Sequence, residues 1–326
     1  MIKAGVSINQ VPGVSVAAMV ELTREAERLG YARCWVCDQG LDCRDVFVTL
    51  AAAAGQTSTL QLGTGITHPY TRHPAVTAAA IAGVDELSGG RAFLGIGAGG
   101  LDTLLPLNLE RRKPLAAVRE MIALTRALNQ GQAVDFYGEI FKLRGARIDY
   151  ARPDLEIWLA GRRSKMLNLG GELADGVLLD FIHKDLLPQH VRLVRAGAGA
   201  AGRRPRICYS TVIVTDDKAL AAVRPAMFWR LVDAPPELRA QLGVTQADLD
   251  AMRRVAAAEG MPAVGRLIKD DWVRPFVIMG TPAECAAELG GLMARLAIDE
   301  FMLPLLDIAL APELMAQVAR VIELAE

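Results

Sequence analysis

Short apolar segments alternate along the chain with amphipathic ones, a pattern that predicts repeated strand–helix units on a parallel sheet. In the first unit, residues 2–8 form the strand, and residues 16–29 form a helix between Ser15, a favoured N-cap, and Gly30, a stop. Further strands are predicted at 32–37, 60–66, 92–97, 155–160, 175–181, 207–214 and 300–306. Eight strands, each followed by a helix, predict a (β/α)8 TIM barrel of the α/β class.

Two segments interrupt this rhythm. Residues near 131–150 read as a hairpin around Tyr137-Gly138, and residues near 216–274 read as an inserted helical layer broken by prolines. We therefore expect one barrel domain over 1–326 with these two insertions. An open doubly wound sheet would need a GxGxxG spacing after its first strand, and IKAGVSINQVPG has none.

The stretch LQLGTGITHPYTR, residues 60–72, ends an apolar strand in a glycine-flanked bend with a polar loop behind it. Glycine inside a strand indicates a bulge, or the close approach of a ligand or of another backbone segment. Both a ligand wall and an ordinary strand end fit this pattern.

Composition narrows the class of partner. The chain of 326 residues is 52% hydrophobic and 22% charged, which is typical of a packed globular protein. A net charge of −1 gives no electrostatic reason to bind nucleic acid or an anionic membrane, so small molecules or other proteins are the expected partners. The N-terminus lacks a signal-type pattern, and no stretch of about twenty residues is apolar enough to cross a bilayer, so we expect a cytoplasmic location.

Cys34 and Cys37 form a CxxC, with Cys43 close by. Residues three apart in a strand point to opposite faces, and no second CxxC or nearby histidine completes a zinc site. Structural cysteines are therefore favoured over a redox or metal role, and no metal is expected.

In a barrel, the C-terminal ends of the strands meet at one mouth, so the strand exits hold the candidates for chemistry. These exits are Ser7 and Asn9, Asp38 and Gln39, Gly65 to His68, Gly97 to Gly100, Gly161 to Lys165, Asp180 to His183, and Thr211 to Thr215. Gly161, Arg162, Arg163, Ser164 and Lys165 begin a helix, where free N–H groups and cations suit a phosphate, although basic residues also decorate solvated helix ends.

The Asp38 carboxylate is suited to hold a hydroxyl or a ring nitrogen of a ligand. The alternative is an aspartate that caps its own loop. No hydrolase triad, paired-carboxylate motif, HExxH or Walker loop is visible. A phosphate-binding, glycine-rich mouth with few proton-transfer groups is compatible with a redox cofactor that carries the reactive atom itself.

The blocks TRxPA, SGGRAxLGxG, KPL and GExADGVL occur in this order, together with Arg44-Asp45-Val46. With them the chain resembles, over most of its length, the coenzyme F420-dependent methylenetetrahydromethanopterin reductases of the bacterial luciferase-like superfamily. The resemblance implies a barrel that is dimeric or larger, a deazaflavin at the mouth and a non-prolyl cis peptide at Gly65-Ile66. It also implies a ring site at Asp38, Gly65, Ile66, Thr67 and Gly97, with the phosphate of the tail at Gly161 to Lys165.

Three positions depart from the family pattern. Ser7 stands where archaeal members carry an acidic residue in the first strand, Gln39 replaces a histidine, and His68 replaces an asparagine. These changes lie on the substrate side, so methylenetetrahydromethanopterin itself is in question. His68 is a candidate proton donor because its unperturbed pKa lies near neutrality, and the alternative is a loop histidine that bonds only to the backbone. We take Ser7 and His68 as the catalytic candidates.

Three functions remain open at this stage. The first is an oxidoreductase that transfers a hydride between F420 and a small organic substrate, with a methylene-tetrahydropterin-type C1 carrier as one candidate. The second is an FMN-dependent luciferase-like reductase or monooxygenase. The third is a barrel that binds its cofactor without turnover.

Overall fold

The structure, a computed structural model, describes residues 2–8, 13–41 and 43–325. Within these residues eight parallel strands close a barrel in the order β1, β2, β3, β4, β7, β8, β9, β12, with β12 paired to β1. The strands are β1 Lys3–Ile8, β2 Arg33–Val36, β3 Gln61–Thr64, β4 Ala92–Ile96, β5 Val134–Tyr137, β6 Lys142–Ala146, β7 Glu156–Ala160, β8 Gly176–Asp180, β9 Arg206–Ser210, β10 Ile213–Val214, β11 Ile278–Met279 and β12 Glu300–Leu305. The predicted (β/α)8 barrel is confirmed.

The helices begin and end largely where their capping residues predict. Ser15 Oγ accepts the N–H of Ala18 at 3.2 Å, and Thr281 forms a capping box with Glu284. The helices are α1 Val16–Arg28, α2 Val46–Ala54, α3 Pro74–Ser88, α4 Leu101–Leu104, α5 Pro114–Leu128, α6 Ser164–Leu173, α7 Leu187–Ala200, α8 Asp217–Val223, α9 Met227–Val232, α10 Pro236–Leu242, α11 Gln246–Glu259, α12 Met261–Val264, α13 Asp270–Val273, α14 Pro282–Leu296 and α15 Ala311–Leu324. Of the helices in the described ranges, none is long and apolar enough to cross a membrane.

Strand alternation sorts the barrel residues into an outer and an inner set. The outward residues pack with the surrounding helices in one large apolar cluster. The inward residues form layers along the barrel axis. Charged side chains lie at the N-terminal ends of the strands, large apolar side chains lie in the middle, and small or polar side chains lie at the mouth. The middle layer consists of Trp35, Phe93, Trp158, Leu178, Cys208 and Met302.

A network of ion pairs closes the N-terminal end of the barrel, with Arg33 and Glu300 buried and Glu156 and Arg206 partly exposed. Arg33 contacts Glu300 at 2.8 Å and Glu156 at 2.9 Å, and Arg206 contacts the same two carboxylates at 3.2 and 2.5 Å. The Arg33 guanidinium also lies 5.0 Å from the centre of the Phe93 ring. Burial favours a higher pKa for Glu156, but Arg33 and Arg206 outweigh it and lower the pKa to about 2. This end of the barrel is filled by its own side chains.

The predicted hairpin is present as the antiparallel pair β5 and β6. Its tip lies on α5, where the Glu120 carboxylate accepts the N–H groups of Glu139, Ile140 and Phe141 at 2.6 to 3.3 Å. The predicted helical insertion is also present as helices α8 to α13, which have an apolar cluster of their own. That the barrel and both insertions form one domain over 1–326 stays a prediction.

The strand predicted over 207–214 is wrong in its second half. The barrel strand β9 ends at Ser210, and Thr211 Oγ1 donates to the carbonyl of Phe276 at 2.5 Å. The next residues, Ile213 and Val214, pair with β11 in a separate two-stranded sheet. β-branched residues suit either sheet, and the chain returning from the insertion provides the partner that draws them out of the barrel.

Glycines allow β3 and β4 to pack unusually closely. Thr64 Oγ1 donates to the Gly95 carbonyl at 2.7 Å and accepts the Gly95 N–H at 2.9 Å. A Cβ atom on Gly95 would lie 2.0 Å from the Thr64 carbonyl oxygen, and one on Gly63 would lie 2.4 Å from the Phe93 ring. At Gly63 and Gly95, glycine therefore allows the close approach of a neighbouring strand.

We predict that Gly95→Ala destabilises the protein by about 3 kcal/mol or more, because the overlapping atom belongs to the backbone and β3 must shift. Gly83→Ala on α3 is the matched control, since its added Cβ meets no atom within 4 Å, and it should stabilise by about 0.5 to 1 kcal/mol. Urea unfolding of the three proteins measures the difference. Equal stability of the Gly95 variant and the wild type would contradict the packing argument.

Glu27 on α1 fixes the turn that leads into β3 by accepting the N–H groups of Ser58, Thr59 and Leu60. Burial favours a higher pKa for Glu27, but these N–H groups outweigh it and lower the pKa from 4.5 to about 2. A carboxylate with a lowered pKa contributes stability above the pKa of the unfolded chain and loses it as the pH falls toward the folded value.

We therefore expect Glu27→Gln to lower the free energy of unfolding at pH 7 by about 1 kcal/mol, a value already reduced for solvent screening. The difference from wild type should shrink as the pH falls from about 4.5 toward about 2. Urea unfolding between pH 3 and 7 measures it. Glu21→Gln is the control, because this exposed carboxylate on the same helix contacts only its neighbour Arg24 in an exposed ion pair, and its removal should change the free energy of unfolding at pH 7 by less than Glu27→Gln does.

Candidate functional site

Three polar side chains meet at the mouth where β2 and β3 end. Asp38 follows β2, and its Oδ2 accepts the Thr67 hydroxyl at 2.7 Å and an Arg72 N–H at 3.2 Å. Thr67 is fully buried, and Asp38 is largely buried. Two of the predicted site residues, Asp38 and Thr67, are therefore brought together, and Arg72 supplies the charge that balances the carboxylate.

The backbone after β3 is held from both sides. The peptide bond between Gly65 and Ile66 is cis, as expected. The Gly65 N–H donates to Val36 at 2.6 Å on the β2 side, and the Thr67 N–H donates to Gly95 at 2.9 Å on the β4 side. These hydrogen bonds fix the direction in which the loop leaves the barrel.

Gly97 and Ile66 also lie together. A Cβ atom on Gly97 would lie 1.8 Å from Cδ1 of Ile66, so this glycine makes room for the isoleucine side chain. The Gly97 N–H donates to the Thr67 carbonyl at 2.9 Å. The proposed contact of Gly97 with a cofactor ring stays a prediction, and the structure gives this glycine a packing reason as well.

His68 is buried at the start of the loop, with 2% of its surface exposed. Its Nδ1 accepts the N–H of Tyr70 at 3.3 Å, which leaves the proton of a neutral ring on Nε2. Gly99 packs against the ring in a left-handed conformation, φ 74°, and a Cβ there would lie 3.2 Å from His68 Cγ. The hydrogen bond to the backbone fixes the ring, and the Nε2 proton leaves a role as proton donor open.

Ser7 points into the barrel from β1, with its Oγ 3.6 Å from the Cys37 thiol. Cys37 in turn donates to the Gly65 carbonyl at 3.0 Å, whereas Cys34 points outward and lies 3.9 Å from Thr23. The two thiols of the CxxC therefore face opposite sides of β2. Burial raises the pKa of both to about 12, which disfavours thiolate chemistry.

Over residues 2–8, 13–41 and 43–325, no group of three or more His, Cys, Asp or Glu side chains is placed to hold a metal ion. Asn9, a further exit candidate, lies outside the described residues.

The predicted anion site begins α6. Arg163, Ser164 and Lys165 are exposed there, and in the described part of the chain the two cations have no ion-pair partner. Arg162 is different, because its guanidinium lies 3.5 Å from Asp180 at the end of β8 and 3.8 Å from Asp233. Only Arg162 of this set is thus shown to reach toward another strand exit. Phosphate binding at Gly161 to Lys165 stays a prediction.

Sequence reasoning did not assign Arg72 and Asp45 to the site. Arg72 forms ion pairs with both Asp38 and Asp45, and its guanidinium lies 5.1 Å from the centre of the Phe47 ring. Asp45 also caps α2 by accepting the N–H groups of Phe47 and Val48. A signal was present, because both residues lie in the sequence blocks that carried the family resemblance.

Comparison with known proteins agrees with this geometry. The sequence model of a family described as luciferase-like monooxygenase matches residues 1–300. The 5,10-methylenetetrahydromethanopterin reductase of Methanolobus tindarius is 32% identical over 293 residues, covering 88% of this chain and 90% of the relative. The F420-dependent glucose-6-phosphate dehydrogenase of Kineococcus radiotolerans is 28% identical over 295 residues, covering 84% and 82%.

Among solved structures, the coenzyme F420-dependent tetrahydromethanopterin reductase of Methanopyrus kandleri superposes with a TM-score of 0.86. It is 23% identical, and the match covers 98% of this chain and 97% of the other, so it shows the same fold. Together with the matched residues 1–300, these comparisons show that the chain belongs to the luciferase-like monooxygenase family.

Proposed function

We propose that this protein is an oxidoreductase that uses coenzyme F420 to reduce or oxidise a small organic substrate by hydride transfer. The main support is the polar cluster of Asp38, Thr67 and Arg72 at a barrel mouth, in a chain whose relatives are methylenetetrahydromethanopterin reductases and F420-dependent dehydrogenases. The cluster lies at the strand ends where barrel enzymes carry their active sites.

The mouth has large side chains below and small ones above. The middle layer of the barrel is filled by Trp35, Phe93 and Trp158, whereas the inward residues above it are small, with Ser7, Gly65 and Ala160 among them. The middle layer therefore forms the floor of the mouth. When bound, F420 supplies the two-electron hydride chemistry that none of these side chains can provide.

The residues of the chain have separate tasks in this proposal. The backbone at Gly65, Ile66 and Thr67, with Gly97 behind Ile66, supports one face of the ring, and Asp38 fixes its polar edge through Thr67. The start of α6, from Gly161 to Lys165, binds the phosphate of the tail through first-turn N–H groups and cations. These tasks orient the ring and exclude water, and they carry most of what a protein adds to such a reaction.

His68 holds the proton that the substrate gains or loses. Its Nδ1 is engaged by the Tyr70 N–H, so Nε2 is the atom that donates. Ser7 lies at the floor of the mouth and offers a hydroxyl, and the archaeal pattern has a carboxylate there. A methylene-tetrahydropterin-type C1 carrier is the substrate class that the relatives favour, and the change at Ser7 concerns the part of the mouth that would meet it.

A cytoplasmic location and a homo-oligomer of two or more copies stay predictions. Apolar side chains on the outer faces of α2 and α3 are compatible with an oligomer, because Val48, Val76 and Leu87 are 58%, 58% and 64% exposed.

The proposal predicts micromolar or tighter binding of F420 and much weaker binding of FMN, because the similar proteins include an F420-dependent glucose-6-phosphate dehydrogenase and an F420-dependent tetrahydromethanopterin reductase. Fluorescence titration of the purified protein with each cofactor measures both affinities. Micromolar binding of FMN without binding of F420 would overturn the proposal and favour an FMN-dependent reductase or monooxygenase. Binding of F420 without turnover of any C1 carrier or alcohol would favour a non-catalytic barrel.

We predict that His68→Ala lowers kcat on a turned-over substrate by about 10²-fold or more, with the F420 dissociation constant within about threefold of wild type. The shape of the pH profile of kcat should also change, which a structural role would not produce. His73→Asn is the control, because His73 caps α3 with its ring against Phe141 of the hairpin, and asparagine is a favoured N-cap. Ser7→Ala should lower kcat by about tenfold. Full turnover by both the His68 and the Ser7 variants would refute the assignment.

A further inference from the structure

Asp180 is a carboxylate at the mouth that the proposed function does not use. It is the last residue of β8 and alternates with the outward Leu179, so its side chain points into the barrel. Its Oδ1 accepts the Ser210 hydroxyl at 2.9 Å, and its Oδ2 accepts an N–H of Arg230 at 2.7 Å. Arg162 lies 3.5 Å from the same Oδ2. Asp180 Oδ2 therefore contacts two guanidinium groups, that of Arg230 from α9 of the insertion and that of Arg162 from the loop before α6.

The residue after Asp180 is held in an unfavourable backbone conformation. Phe181 has φ 48°, in the left-handed region that a bulky side chain rarely adopts. Its N–H donates to the Ser210 carbonyl at 2.9 Å, and its ring lies 5.0 Å from the Arg230 guanidinium. Such conformations persist where the surroundings fix them, and they concentrate at functional sites. Here the conformation places the aromatic ring under Arg230 while Asp180 holds one end of the same guanidinium.

Both arginines have side-chain N–H groups that donate no hydrogen bond to a described residue. Arg230 is 17% exposed, and within the described ranges its Nε and Nη1 donate no hydrogen bond. Arg162 is 42% exposed and has ion pairs at 3.5 and 3.8 Å but donates no hydrogen bond to any described residue. Its second carboxylate, Asp233, is 67% exposed, so solvent screens this ion pair. The two guanidinium groups therefore keep N–H donors at the mouth that Asp180 and Asp233 do not use.

This cluster lies close to the floor of the proposed ring site. Burial is the main cause of the raised pKa of Cys37, and the charge of Asp180 adds to it from across the barrel. Cys37 bonds directly to Gly65. The cluster and the polar group at Asp38 are therefore two sides of one mouth.

We propose that Arg230 and Arg162 form an oxyanion subsite, in which Asp180 is the positioning residue that aligns the two guanidinium groups. The ligand is a phosphate or carboxylate group, carried either by the tail of the cofactor or by the substrate. The planar fork of arginine suits such groups, because it binds two of their oxygens at once. The subsite deepens the proposed function and rests on it for the identity of the ligand. The new members are Arg230, from the insertion, and Asp180.

Calorimetric titration with inorganic phosphate tests the subsite without the cofactor. Arg230→Met should weaken phosphate binding about tenfold. Arg253→Met is the matched control, because Arg253 lies in the same insertion and has an exposed ion pair with Asp250, and it should leave the affinity unchanged. Arg230→Lys keeps the charge without the fork, and it should fold as wild type in a thermal melt and bind phosphate with intermediate affinity. No binding of phosphate to the wild type, or equal binding to the wild type and the Arg230→Met variant, would overturn the proposal.

The Asp180→Asn variant distinguishes a positioning role of Asp180 from a purely electrostatic effect of its charge. Removal of a negative charge beside two cations should strengthen phosphate binding if the carboxylate is only a neighbouring charge. We expect phosphate binding about threefold weaker instead, because the guanidinium groups lose their alignment. Stronger binding in this variant would refute the positioning role of Asp180.

Titration with F420 and with the deazaflavin chromophore that lacks the phosphate tail identifies the source of the oxyanion. If the subsite binds the tail, Arg230→Met weakens F420 about tenfold and leaves the tail-less chromophore unchanged. If it binds the substrate, both affinities stay at the wild-type value while phosphate binding is still lost. An equal loss of affinity for both chromophores would mean that Arg230 maintains the structure of the mouth, and it would overturn the subsite. Failure of the wild type to bind F420, with phosphate binding still dependent on Arg230, would refute the proposed function alone.

Discussion

The close packing of β3 between β2 and β4 determines where every group on one side of the mouth lies. Thr64 forms two hydrogen bonds with Gly95, and Gly65 and Thr67 bond to β2 and β4 through their N–H groups. Two of these contacts join backbone atoms and two use the Thr64 hydroxyl, and the close spacing depends on glycine at positions 63, 95 and 97. A single added methyl group at Gly95 meets a carbonyl oxygen, so the spacing has little tolerance. Asp38, Thr67 and His68 inherit their positions from that spacing.

The opposite end of the barrel explains why chemistry is confined to the mouth. Arg33, Arg206, Glu156 and Glu300 neutralise one another at the N-terminal ends of the strands, and the aromatic layer separates them from the mouth. Buried ion pairs are costly to break because one unpaired charge would remain in an apolar setting. The lower two layers therefore fill the axis of the barrel, and the upper layer, with small and polar side chains, faces the mouth.

The architecture could be predicted from the sequence because each of its signals is local. The alternation of strand and helix, the caps at Ser15 and Thr281 and the left-handed stop at Gly89 all depend on residues within a few positions of one another. The prediction failed at Ile213-Val214 because two β-branched residues suit a barrel strand and a separate ladder equally well. The partner that decides between them, β11, lies more than sixty positions further along the chain.

The site was predictable to a smaller degree for a related reason. Asp38, Thr67 and the anion-binding pattern at Arg162 to Lys165 follow from strand exits, which a barrel brings together. In the sequence, a glycine looks the same whether a ligand or a neighbouring strand fills the space beside it. At Gly63, Gly95 and Gly97 the protein itself fills that space. Arg72 with Asp45, and Asp180 with Arg230, are pairs formed across the fold, so neither partner is conspicuous until the tertiary structure joins them.

The two sides of the mouth are held by different kinds of force, and this difference bears on function. The side at Asp38 and Thr67 is fixed by hydrogen bonds between barrel strands and by the contacts of Asp38 with Thr67 and Arg72, so it depends on the spacing of β2, β3 and β4. The side at Asp180 is fixed by ion pairs to Arg162 and to Arg230 of the insertion, so its charge and shape depend on a few exchangeable side chains. Substitutions in the insertion can therefore change the Asp180 side of the mouth while β3 and its neighbouring strands stay in place. In the proposed function, the side at Asp38 and Thr67 supports the ring, and the oxyanion subsite lies on the side that such substitutions can alter.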